Sequence, residues 1–263
     1  RARAREQDDR AREHEEKAVE LLRTYLQEHP FDLKIKLRLV RTLYAQDRKE
    51  EAEDLLARVE DDLLEQNAPD LTVQTASLLM ATDKDPGASA KGDLTTSGVL
   101  RGIKLLEHAY KSNPDNLQVM LNLALAHKRA GNQEKMVDLL EEAYNYEPPV
   151  EAGVKAFSAQ NLKLVAATEL INGYLVMAER NRNTDKFDEC LDKARGTIQE
   201  LKGEVQKSAI IDLLHGKLAL LNGRYSFAVD KLETANKKFE GRNPEAIFLS
   251  AIALKRSGET GAA

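Results

Sequence analysis

The fold class predicted by this sequence is all-α: an array of antiparallel helix pairs, an α-solenoid. Three observations carry the prediction. The first is composition: 32% of the residues are charged and 5% aromatic, with no tryptophan, and Ala, Leu, Glu, Lys and Arg dominate. That mixture favours helix nearly everywhere and leaves almost no strand signal. The second is local. Residues 117–148 read LQVMLNLALAHKRAGNQEKMVDLLEEAYNYEP, with apolar residues at helical spacing on both sides of Gly131 and a proline at the end. This describes a helix, a tight turn and a second helix returning antiparallel. The third is a period: Ala18 and Ala52 stand 34 residues apart, each at the same place in an apolar stripe. In such an array each unit packs on its neighbours, so a length of 263 residues does not count domains.

Taken in order, residues 1–12 (RARAREQDDRAR) are almost wholly charged and have no stripe with which to dock. They are expected to be a frayed helix start or a linker, and 1–15 is set apart as an extension. Glu6, Asp8 and Asp9 dilute a basic nucleic-acid arm. From Glu16 onward Ala18, Leu21, Leu22, Tyr25 and Leu26 form one apolar face, and the helix stops at His29-Pro30. Asp32 is the expected N-cap of a helix to about residue 46, Asp47-Arg48 make its turn, and 49–67 return with Ala52, Leu55, Leu56, Val59 and Leu63.

A third first helix is expected over 70–82. The stretch 83–96, DKDPGASAKGDLTT, contains Pro86, Gly87 and Gly92 and little to bury, so it is expected to be an inserted loop and a candidate second contact site. It is not a phosphate loop, because no lysine follows its second glycine and no strand precedes it. Ser97 caps a helix to about 112. After the 117–148 pair the pattern loosens: 150–160 is weakly helical, 162–180 strongly apolar, and 185–202 its partner. Helices 208–221 and 225–239 follow. The last helix, 244–257, carries Ile247, Ala251 and Leu254 on one face and Gly258 at its turn. The array is therefore expected over 16–263, in units 16–31 (partial), 32–69, 70–115, 116–149, 150–207, 208–243 and 244–263 (partial). It opens in a second helix, closes in a first helix and begins at Arg1 without a methionine, so a longer native chain is expected.

Leu123-Ala124, Gly131, Leu140, Ala143 and Pro148 fall where the tetratricopeptide repeat (TPR) family places its small and hydrophobic signature residues. Gly216, Gly223, Tyr225, Ala228, Leu232 and Ala235 repeat that match, as do Ala18 and Pro30. The chain thus resembles the TPR family over about two thirds of its length. It departs at Met120, His127 and Met136, where the family has an aromatic, a tyrosine and an alanine. The resemblance implies a right-handed superhelix whose first helices line a concave groove for peptides or extended protein segments. It places Lys34, Leu37, Arg38 and Arg41 in that groove, then Gln118, Leu121, Asn122, Leu125, Lys128 and Arg129, then Lys217.

These positions are more basic and amide-rich than the whole, whose net charge is −5, which points to an acidic or C-terminal protein segment as the partner. Lys34, Arg38 and Asn122 resemble members of the two-carboxylate clamp of some TPR domains, but their order along the chain is wrong for it. A solvated helix face is the alternative for Lys34, Arg38 and Arg41.

No catalytic, cofactor-binding or metal-binding residues are read. His14, His29, His108, His127 and His215 are scattered without the i, i+4 pairing of a zinc helix, and no GxSxG or dinucleotide turn occurs. Cys190 sits in an apolar helical pattern and is expected to be a small buried hydrophobe. No apolar run approaches the ~20 residues of a membrane span. Neither nucleic acid nor an anionic membrane suits the acidic whole, and the groove lacks aromatics for base stacking, so RNA is the weaker alternative. The sequence thus predicts a non-catalytic protein-binding scaffold, with a cytoplasmic setting as the expectation. The alternative is a self-association module in which Phe248, Leu249 and Ile252 of the end helix, with 150–180, pack on another copy.

Overall fold

A computed structural model describes residues 2–82, 98–147, 153–204 and 208–261. Among them are twelve helices and no strand. The expected loop at 83–96 lies outside the described residues. The chain divides into two compact units, Arg1–Ala130 and Gly131–Ala263.

The first unit contains α1 (Ala2–Glu28), α2 (Leu33–Ala45), α3 (Lys49–Glu65), α4 (Pro69–Thr82), α5 (Gly98–Ser112) and α6 (Leu117–Arg129). Two of its helices, α2 and α6, start where a side chain satisfies a free amide of the first turn. Asp32 accepts from the Ile35 amide at 3.1 Å, and Asn116 does the same for Val119 at 3.1 Å. Between α2 and α3 the chain turns through Asp47 at φ 59°, a left-handed conformation that a short carboxylate side chain tolerates. Helix α2 pairs with α3 and α4 with α5, and the first helices α2, α4 and α6 lie side by side. Val40, Leu43, Ala52, Leu56 and Val59 close the core of the first full pair, all at most 1% exposed. The charged residues at the start of the chain continue α1 as helix and are not a linker.

The second unit contains α7 (Gln133–Asn145), α8 (Gly153–Arg180), α9 (Lys186–Glu204), α10 (Ala209–Leu221), α11 (Tyr225–Lys238) and α12 (Pro244–Gly261). Weak and strong segments expected around 150–180 are one helix of 28 residues, α8, which packs on α7, α9 and α10. Two close approaches need glycine. A Cβ at Gly173 would stand 2.8 Å from Met136 Cε and 2.9 Å from Val137 Cγ2, and one at Gly216 would overlap Leu232 of α11. Helix α12 runs through Gly258, where a turn was expected. Its buried face is also not the expected one: Ala246, Ser250 and Ala253 pack inward, whereas Ile247, Ala251 and Leu254 face solvent. Small residues win the inward positions because they let neighbouring helices approach closely.

Candidate interaction surface

Superimposing the N-terminal caps of the three first helices of the first unit, Asp32, Ala68 and Asn116, brings equivalent residues into rows. Leu37, Val73 and Leu121 form a buried row at 2%, 7% and 4% exposure. Leu37 and Leu121, expected in the groove, are therefore core residues: they stand on the side of the first helix that is covered by packing. Alongside runs a polar strip, with rows Lys34, Asp70, Gln118; Arg38, Gln74, Asn122; Arg41, Ser77, Leu125; and Ala45, Ala81, Arg129. All of these are exposed except Asn122 and Leu125, which are half-buried, and Lys128 is exposed beside Arg129. Spacing of four, then three, then four residues along each helix holds the strip on one face.

The strip is lightly bonded. Arg41 Nη2 donates to Gln74 Oε1 at 3.2 Å, and Asn122 Nδ2 donates to the Gln118 carbonyl at 2.7 Å. Lys34, Arg38 and Arg129 form no ion pair with another described residue. Two other cations of the unit, Lys36 and Arg101, tie helices together. Lys36 meets Asp62 at 2.5 Å, and Arg101 bridges from α5 to Glu60 and, at 3.3 Å, to Glu53 of α3. Tyr44 also donates to Glu53, and burial, then that carboxylate, pushes its phenol up to about 12.

Gln74 and Ser77 of α4 escaped the sequence reading, which assigned groove residues only where the family signature was well matched. The signal available was the register of the three helix starts.

Residues expected to act in the second unit are placed differently. Lys217 on α10 bonds Asn172 Oδ1 of α8 at 2.9 Å and Glu245 of α12 at 2.7 Å, with its side chain 15% exposed. Its ammonium serves as a tie between first helices. Of the residues expected to mediate self-association, Phe248 is 65% exposed, Ile252 is half-buried, and Leu249 packs against the core of α10 and α11. Cys190 is 6% exposed, and burial raises its thiol above the ordinary range. His127 is buried, with Nε2 4.0 Å from Glu107 Oε1, and His215 is half-buried. Among the described residues no cluster of His, Cys, Asp and Glu could hold a metal, and no helix is long and apolar enough to cross a membrane.

Residues 10–69 match the tetratricopeptide repeat family model. No curated protein matches the chain. Among solved structures, a chain from the structure of Naa15/Naa10 bound to HypK-THB aligns with 90% of this chain at 11% identity and a TM-score of 0.51. This chain spans 39% of that neighbour's length. A tetratricopeptide repeat protein from Parabacteroides merdae aligns over 95% of this chain and 96% of its own, at 13% identity and a TM-score of 0.38. At these identities the likeness to the Naa15/Naa10 structure is one of fold.

Proposed function

We propose that the first unit, part of which matches the tetratricopeptide repeat model, is a non-catalytic scaffold that binds an extended acidic protein segment along the strip of α2, α4 and α6. One observation carries the reading: Lys34, Arg38 and Arg129 gather on this strip with Arg41 and, among the described residues, Lys34, Arg38 and Arg129 form no ion pair. An acidic segment crossing the three helices would meet cations from α2 at one side and from the end of α6 at the other. The amides of Gln74, Gln118 and Asn122 share the rows of Lys34 and Arg38, with Asp70 between Lys34 and Gln118 in the first. Charge-assisted hydrogen bonds to such exposed cations cost little desolvation, so the surface suits a segment that binds reversibly and is sensitive to salt.

The test is fluorescence anisotropy with equal-length peptides of graded Asp/Glu content. Wild type is expected to tighten with acidic content and to weaken as salt rises. Arg38→Glu/Arg41→Glu is expected to lose about tenfold or more, at roughly 1 kcal/mol per reversed contact. Lys104→Glu/Lys111→Glu, an equal double charge reversal at exposed positions of α5, should bind like wild type. Binding indifferent to peptide charge, or equal loss in both variants, would sink the reading.

A further inference from the structure

The positive charge of the strip is confined to its two lips. Helix α2 presents Lys34, Arg38 and Arg41, and the last turn of α6 presents Arg129 with Lys128 beside it, all exposed. Helix α4, which lies between them, presents no cation: its residues on the strip are Asp70, Gln74, Ser77 and Ala81, each exposed. Asp70 stands in the first row and repels a carboxylate laid across the start of α4, which turns an acidic segment toward the later rows. There α4 offers an amide, a hydroxyl and a methyl group, and the adjoining face of α6 offers the half-buried Leu125. None of these carries positive charge, so a carboxylate over the middle of the strip has no charge partner. Ser77 and Ala81 are also small, so a backbone crossing them lies close to the helix.

On the reading that the strip binds an acidic segment, we propose that its occupant is bipartite: two acidic clusters joined by an uncharged spacer of about six small residues in extended form. Arg38 and Arg41 hold one cluster, and Arg129 holds the other. The length of the spacer follows from helix geometry. Neighbouring packed helices lie ~8–10 Å apart, so the two steps from α2 to α6 cover roughly 16–20 Å. Arg129 stands one row beyond Arg41 and Leu125, an offset of about 6 Å along the helix at 1.5 Å per residue. The diagonal between the lips is therefore about 20 Å, which an extended chain covers in about six residues at ~3.3 Å each. A uniformly acidic run leaves its central carboxylates over α4 without a cation. Charge pattern, beyond total charge, thus sets the affinity.

Fluorescence anisotropy with peptides of equal length, each carrying four glutamates, tests the pattern. In three of them two Glu-Glu pairs flank a Gly/Ser/Ala spacer of two, six or twelve residues, and a fourth carries its glutamates in one run. The six-residue spacer is expected to bind tightest, by about fivefold over the run and over the shortest spacer, which reach one lip only. Arg129→Gln should bring the six-residue peptide down to the affinity of the run. Ser77→Lys, which places a cation over the middle of the strip, should favour the run instead. Both substitutions are at exposed positions, and both variants should keep the circular dichroism of wild type. Equal affinities at every spacing, an optimum at another spacing, or a preference that survives Arg129→Gln would overturn the bipartite pattern and leave the acidic-segment reading standing. Binding no tighter than that of a peptide with every glutamate replaced by glutamine would overturn both.

Discussion

Tyr44 shows how one side chain records the packing around it. Its hydroxyl donates to Glu53, and burial first, then that carboxylate, raises its pKa from 10.0 to about 12. The neutral phenol is therefore the form that the fold favours. A raised folded pKa contributes stability that is fully present below the unfolded value and is lost as pH climbs through the folded one. Stability should therefore fall between pH 10 and about 12. Urea unfolding across that window is expected to show a steeper decline for wild type than for Tyr44→Phe. Parallel curves would mean that Tyr44 does not resist ionisation. Tyr174 donates to Glu141 at 2.6 Å and is shifted in the same direction for the same reasons, so part of the decline should survive in the variant.

At the scale of the element, two glycines inside helices make opposite predictions. Gly216 of α10 lies against Leu232, so Gly216→Ala must push a core leucine aside and is expected to cost about 1–3 kcal/mol. Gly196 of α9 has no neighbour within 4 Å of an added Cβ, so Gly196→Ala should gain about 0.5–1 kcal/mol from helix propensity. Denaturant midpoints that move the same way in both variants would contradict the packing described for α10 and α11. The same elements show what sequence can report. Pairing was legible because glycine or alanine recurs at each crossing, and the caps Asp32 and Ser208 sit one residue before their helices. The extension of α1 through residues 2–12 was not legible, since a run of charges has no periodicity with which to declare a helix. The orientation of α12 escaped for the opposite reason. Ile247, Phe248, Leu249, Ile252 and Leu254 are apolar nearly all round the helix, and only packing decides that Ala246 and Ala253 turn inward.

For the molecule as a whole, net charge and local charge point in different directions. A chain of net charge −5 carries Lys34, Arg38, Arg41 and Arg129 on one strip of the first helices of one unit, so its bulk charge gives a poor account of that surface. The basic character of Lys34, Arg38 and Arg41 could be read from sequence, because polar residues spaced along an apolar helix mark its open face. The contribution of α4 could not, because Gln74 and Ser77 acquire meaning only beside α2 and α6. Lys217 misled for a related reason: its partners Asn172 and Glu245 come from helices far away in the chain.

Helix α8 has a consequence for how the second unit comes apart. At about 1.5 Å per residue its 28 residues span roughly 42 Å, and it touches α7, α9 and α10. Ordinary repeat arrays open piecemeal, because each pair answers only to its neighbours. A strut of that length reduces that freedom by joining neighbouring pairs. Amide hydrogen exchange should find α7 to α11 opening as one cooperative block, with the buried turns around Ala166 to Ala178 protected longest, while α12 exchanges earlier. The long helix thus sets the grain size of unfolding, making one foldon from what the repeat pattern would have divided.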